Sequence, residues 1–394
     1  MEAHSPLEGI RVLDVSRVLA GPYVGRMLSD LGADVVKVEP PEGDVSRHWG
    51  RVIAGLSGYY TQQNAGKRNI SIDLRQPEAP ELVRRLAERS DVVIENFRPG
   101  VLAQYGLAYA DLAERNPRLV MLSISGYGQL GPDAQRPAYA GVIHAETGLM
   151  QRQGTMFRAG PKDVPVSIAD MNAGLHGLTA LLAALYMRDR GDATGARRGQ
   201  HIDLAMTDAM LATDDHVHLA LDHESLERPF ASEVWEVSFG HVIMAGDFRW
   251  IFRQLVEHCG LVDPTPPAAP LSTKIEVRRR AVQDFLRSFP DVQSLAAALD
   301  RANLAFGHVL STGEALESPT SRHRGTVAQT DDRAGGTRRV IQSPYRFSAA
   351  VSGLRGPAPF RGEHNTEVLR DWLGSDDSEI TRYQQAGVLL HEAR

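Results

Sequence analysis

Short apolar, β-branched runs alternate with stretches of helical spacing through the first half of the chain, and this alternation constrains the fold more than any other feature. "IRVLDV" (10–15) reads as a strand, "GPYVGRMLSDLG" (21–32) as a helix and "ADVVKVE" (33–39) as a second strand. "RNISIDL" (68–74), a helix over 78–89, "SDVVIENF" (90–97), a helix near 109–115 and "RLVMLSISGYG" (118–128) continue the series. A long helix starting at 171 precedes a further strand, "GQHIDLAM" (199–206). Strands separated by helices in this order imply a parallel sheet covered on both faces. The prediction is an α/β protein with a Rossmann-like large domain whose first part spans residues 1–215. After about 215 the texture changes, and residues 225–310, around "DPTPPAAP", read as a smaller α/β domain. Residues 315–394 then return to the large domain and end in two helices with no sheet of their own.

The first strand–helix–strand unit stops short of a dinucleotide site. Glu39 ends the second strand where a ribose-binding acid would sit, yet the turn "DVSRVLAGPY" lacks the GxGxxG glycines that admit a pyrophosphate. What survives is a helix N-terminus near Gly21 and Pro22, suited to an anionic group.

The formal charge of −6 is spread along the chain with no basic block, which argues against a nucleic-acid partner. A single cysteine, Cys259, excludes an intramolecular disulfide and a multi-cysteine zinc site; it reads as an incidental residue at a helix end. The start "MEAHSPLEGIRVLDV" has the pattern of neither a signal peptide nor a transit leader, and no apolar run reaches the roughly 18 residues of a membrane span. The expectation is a cytoplasmic protein without a membrane partner. His216, His218 and His223 lie among four acids in "DDHVHLALDHE" (214–224), but HxH spacing converges on an ion only from a strand. The stretch reads as a polar connector, and no metal is expected.

Asp170 holds two readings. In "PVSIADMNAGLHGLTALLAALYMRDR" (165–190) it precedes Met171, Leu175, Leu178, Leu182 and Leu185, which share one helical face, so it is placed as an N-cap. The same position puts its carboxylate in the positive end of the helix dipole, which lowers the pKa and fixes the rotamer. An ionised, oriented carboxylate can also be a nucleophile.

Further motifs bear on the choice. "LEGIRVLDVSRVLAGPY", "LGADVVKVEPPEGD", "NAGKRNISIDL", "ENFRPGVLAQYGL", "SISGYGQLGP", "ADMNAGLHG", "GARRGQHIDLAM" and "APFRGEHNTEVL" occur in this order over nearly the whole chain. Together they resemble the successive signatures of the class III (CaiB/BaiF-type) CoA-transferases, the family of formyl-CoA transferase and carnitine CoA-transferase. The match is weakest from 225 to 310. The resemblance implies that Asp170 attacks an acyl-CoA thioester, passing through a mixed anhydride to an aspartyl-CoA thioester. An incoming carboxylic acid then takes the CoA by the reverse steps. CoA is thus part of the substrate, and no tightly bound cofactor is implied.

By the same resemblance CoA lies along Arg17, Val18 and Ala20, with Ile72, Asn96, Phe97, Gln104 and Tyr105 around its nucleotide and pantetheine, and Tyr139 near the thioester. The family likeness also implies two chains threaded as interlocked rings in a homodimer. Arg17 and Leu19 replace a histidine and a glutamine of formyl-CoA transferase, and the small domain has no comparable glycine run, which argues against oxalate and formate chemistry. "QRPAYAGVIHAETGLM" (135–150) resembles relatives that move CoA between short dicarboxylates. That suggests succinyl-CoA as donor and an itaconate- or hydroxymethylglutarate-like acceptor. Arg47 and Arg68 are candidates for its distal carboxylate, since a guanidinium binds one bidentately.

Two alternatives stay open. The related α-methylacyl-CoA racemases pair the aspartate with a histidine shortly after the GxGQxGP motif. Here Tyr139, a poor base at neutral pH, takes that place, and His144 lies five positions on, pointing elsewhere on a helix. A catalytically silent CoA or nucleotide binder is the other alternative, and it would lack the nucleophile.

Overall fold

The computed structural model describes residues 4–157, 159–223 and 232–392. In chain order the elements that frame the large unit are β1 (Arg11–Asp14), α1 (Ala20–Asp30), β2 (Asp34–Glu39), β3 (Arg68–Ile72), α2 (Ala79–Glu88), β4 (Val92–Glu95), β5 (Val120–Ser125), α3 (Ala140–Glu146), α4 (Ile168–Arg190), β6 (His201–Ala205) and β7 (Leu389–Leu390). They form a seven-stranded sheet in the order β7-β3-β2-β1-β4-β5-β6. All neighbours are parallel except β7, which pairs antiparallel with β3.

Continuous burial explains the composition of these strands. Val92, Val93 and Ile94 of β4 are buried whichever face they point to, because helices cover both sides of the sheet. On one side Leu82, Val83 and Leu86 of α2 pack with Leu13, Val36 and Ile70. On the other, Val24 and Leu28 of α1 and Leu178 and Leu181 of α4 pack with Val12, Ile94 and Leu122. Strand order reverses at β1, so a crevice opens at the carboxyl ends of β1 and β4, where open α/β sheets bind ligands. α1 can start directly over that crevice because Gly21 has no side chain: a Cβ there would lie 2.2 Å from that of Ser16.

α4 departs from expectation in three ways. It begins at Ile168 rather than 171, so Asp170 is the third helical residue and not the cap. Its buried face is also different: Ala169, Ala173, Gly174, Gly177 and Ala184 face inward with Leu178, Leu181 and Leu185, while Leu175 is exposed. Small residues win because the helix lies close to its neighbours; a Cβ on Gly177 would meet Leu122 at 2.9 Å. Finally, α4 is long and apolar enough by length and composition to cross a membrane, contrary to the expectation that no run approaches such a span. In the fold it is a core helix of the large unit, buried against β5, β6 and α1.

The chain divides into two compact units, one comprising residues up to His218 together with those from His323 onward, the other Leu219–Arg322. The start proposed for the small domain, residue 225, falls outside the described residues. The second unit holds a three-stranded antiparallel sheet, with Gly240–Ala245 between Ser232–Val237 and Phe306–His308, packed by the helices Phe248–Cys259, Leu271–Arg287 and Val292–Arg301. Cys259 lies in that unit, its thiol donating to the Ala298 carbonyl at 3.2 Å and pushed up in pKa by burial. The tail carries more sheet than expected: Val327–Asp331 pairs with Thr337–Ile341, and β7 extends the main sheet. Both were missed: the paired strands of the tail are half polar, and β7 is only two residues long.

Candidate active site

Asp170 projects into a cavity of about 330 Å³ at the sheet's crevice, lined among others by Arg17, Val18, Ala20, Asn96, Phe97 and Tyr139. Three main-chain N–H groups lie near its carboxylate: that of Ala20 at the start of α1, that of Ala140 at the start of α3, and its own in the first turn of α4. Burial nevertheless dominates and pushes the Asp170 carboxyl up to about 6, against the pull of these N–H groups. The expectation of a lowered pKa is thus corrected. The helix end and its donors act in the expected direction, but desolvation of the charged form outweighs them.

The cap role falls to another residue. His144, buried in α3, accepts the Ala169 N–H on Nε2 at 3.1 Å, so Nδ1 carries the proton and donates to Asp163 at 2.7 Å. An imidazole held in this tautomer orders the start of α4 beside Asp170 and has no free lone pair to act as a base. Tyr139 is largely exposed at the mouth of the cavity, immediately before α3.

The loop between β1 and α1 is fastened from beneath. Asn96 accepts the Arg17 N–H on Oδ1 at 2.7 Å and donates from Nδ2 to the Arg17 carbonyl at 2.8 Å, so its amide serves the protein's own backbone. The Arg17 side chain remains available, its Nε buried without a hydrogen-bond partner. Phe97 and Arg17 also line a second cavity of about 230 Å³ with Ile72, Val101, Tyr105 and Leu107. Apolar walls and Arg17 at the junction suit a long ligand with an apolar ring or arm and anionic groups. Gln104 is set apart: it is exposed on the turn Leu102–Tyr105 and lines neither cavity.

Three acid and base candidates prove to be internal structure. Glu39 accepts from Arg47 at 2.8 Å on each oxygen, from the Tyr60 hydroxyl at 2.5 Å and from Asn69 at 2.6 Å, leaving nothing for a ribose. Arg47 is held to Glu39 through Nε and Nη2 and stacks on Tyr60, its Nη1 buried without a hydrogen-bond partner, while Arg68 is shared among Asp34, Asp371 and Glu367. Neither arginine lines the Asp170 cavity or the second cavity. Among the described residues, Asp214, Asp215 and His216 bring ligand atoms within 4.8 Å of one another, but both Asp214 oxygens are bonded to Arg152.

Two residues near Asp170 escaped sequence reasoning. The Ser125 hydroxyl, at the end of β5, is buried without a hydrogen-bond partner and lines the Asp170 cavity. Tyr59, pushed up to about 12 by burial and by the charges of Asp170 and Asp44, stands close enough to sense the nucleophile candidate. The SISGYG motif could have pointed to Ser125 through its place at a strand's carboxyl end; Tyr59 lies in a stretch with no distinguishing pattern.

Comparison with known proteins places this geometry. Residues 7–365 match the family described as CoA-transferase family III. The chain is 35% identical to the succinate–glutarate CoA-transferase of Agrobacterium fabrum, over 93% of this chain and 95% of that protein. It is 29% identical to the succinyl-CoA–D-citramalate CoA-transferase of Chloroflexus aurantiacus, over 98% of each. The crystal structure of a CAIB/BAIF family protein from Brucella suis superposes with a TM-score of 0.79 at 32% identity, covering 94% of this chain and 100% of that one. The chain therefore belongs to CoA-transferase family III and is a CoA-transferase.

Proposed function

We propose that the protein moves CoA from succinyl-CoA to a short dicarboxylic acid through covalent intermediates on Asp170. The observation that carries this reading is a half-buried carboxylate, its pKa raised to about 6, facing the N–H groups of Ala20 and Ala140 in a cavity at the sheet's crevice. At pH 7 such a group is about nine-tenths ionised and is a stronger nucleophile than an ordinary aspartate. The relatives described as acting on succinate, glutarate and citramalate support a dicarboxylate acceptor.

The steps balance without ATP. An Asp170 oxygen attacks the thioester carbon and CoA leaves as thiolate, giving a mixed anhydride. The thiolate then attacks the Asp170 carbonyl, releasing the donor acid with one oxygen taken from Asp170. The acceptor carboxylate attacks the aspartyl thioester, and CoA departs and returns to the acceptor's carbonyl. Asp170 is restored with one oxygen from the acceptor. Each addition places negative charge on an oxygen beside the Ala20 and Ala140 N–H groups, where fixed donors in a desolvated site are most effective. The second cavity, joined through Arg17 and Phe97, suits the nucleotide end of CoA.

The exposed apolar side chains Phe157, Tyr186 and Met187 of the large unit support burial against a second copy, as in an interlocked homodimer. Racemisation is disfavoured because His144 is committed to Asp163 and Ala169. Incubation with succinyl-CoA, followed by digestion and mass spectrometry, is expected to find CoA on the Asp170 peptide, and a panel of dicarboxylic acids should yield new CoA esters. Exchange of the substrate's α-proton in deuterated water without an adduct would replace this reading with the racemase.

A further inference from the structure

Val18 holds φ at +69°, in the left-handed region that a β-branched residue rarely enters. It lies between β1 and α1, two residues before the Ala20 N–H that faces Asp170. Its own N–H donates to Oδ2 of Asp44 at 3.0 Å. Asp44 is buried and over-determined: Oδ1 accepts from the N–H and hydroxyl of Ser46 at 2.9 and 2.8 Å, and Lys37 Nζ lies 3.3 Å from Oδ2. The Asp44 N–H in turn donates to Glu39 at 2.9 Å. The preceding residues are held as firmly, Ser16 by Asp14 and Lys37, and Arg17 by Asn96. Backbone strain persists where its surroundings enforce it, and here the surroundings converge on the turn that aims the first N–H of α1 into the cavity.

We propose that Asp44 is a positioning residue for CoA transfer: by holding Val18 in its left-handed turn it directs the Ala20 N–H at the Asp170 carboxylate, without itself touching substrate. The proposal rests on the reading of Asp170 as nucleophile. When Asp44 is removed, Val18 relaxes toward negative φ and the N–H swings away. Asp170 then loses a donor to its charged form, so it titrates higher and the oxyanion is less well held. Glycine adopts positive φ without a steric penalty, so at position 18 it needs no clamp.

The test is a double-mutant cycle of Asp44→Ala with Val18→Gly, read in kcat and in the acid limb of the pH–rate profile. With Val18 in place, Asp44→Ala is expected to lower kcat about tenfold or more and to move the acid limb up by about half a pH unit. In the Val18→Gly background the same change is expected to cost less than about threefold and to leave the limb in place. Asp44→Ser, too short to reach Val18 but still polar, serves in the same cycle where Asp44→Ala does not fold. Equal losses in both backgrounds, or an acid limb that Asp44→Ala leaves unmoved while Val18 is present, would overturn the proposal. Adduct formation on wild-type Asp170 is scored in parallel. Its absence refutes the nucleophile, whereas an adduct with an additive cycle refutes the clamp alone.

Discussion

Asp170→Asn is expected to lower CoA transfer by about four orders of magnitude or more, because covalent catalysis loses its nucleophile while the cavity keeps its shape. Asn has the volume of Asp and can still accept from the Ala20 and Ala140 N–H groups, so acyl-CoA binding should remain measurable by calorimetry. Asp170→Ala should be equally inactive. A loss of less than about tenfold in either variant would mean that another group carries the CoA, since removing a nucleophile is not compensated by the binding that remains.

The second expectation concerns pH. The carboxyl of Asp170 titrates near 6 in the folded protein against an ordinary value of 3.8. The reactive form is the carboxylate, so kcat/KM should fall about tenfold per pH unit below 6. An acid limb near pH 4 would contradict the desolvated site. The same shift affects stability with the opposite sign to a salt-bridged aspartate. Because the folded state binds the proton more tightly, the ionised group is a burden that is absent below about pH 4 and fully present above about pH 6. The open side of the cavity screens the charge, which leaves a penalty on the order of 2 kcal/mol at neutral pH. Asp170→Asn should therefore raise Tm by a few degrees at pH 7.5 and leave it nearly unchanged at pH 4. Stability and activity trade against each other at this one side chain.

The sheet was legible because its signal is local: β1 to β5 are buried almost throughout and read as short strand-like runs between helices, while β6, at the sheet's edge, is half exposed. Asp170 was legible as a residue of interest but not in its role within the helix. The helix is capped by His144, which lies 25 residues before the Ala169 N–H it accepts and on a different helix, a contact that spacing does not reveal. The buried face of α4 was misjudged for a related reason, since leucines mark the apolar stripe whereas glycines and alanines mark the closest packing. Glu39, Arg47 and Arg68 looked free because spacing does not show their partners: Glu39 and Arg47 bind each other across a loop, and Asn69 and Glu367 reach Glu39 and Arg68 from other parts of the chain. Val18 gave no sign at all: its strain arises from Asp44, Asn96 and Lys37 acting on one turn from three parts of the chain.

Passage of CoA through the Asp170 carboxylate leaves a mark on its oxygens. With an acceptor acid carrying ¹⁸O in both carboxylate positions and unlabelled succinyl-CoA, each cycle should exchange one oxygen of Asp170 for one from the acceptor. Mass spectrometry of the digested enzyme is then expected to find the label confined to the Asp170 side chain, one heavy oxygen after a single turnover and both positions labelled after many. Turnover that leaves this side chain unlabelled would contradict the account.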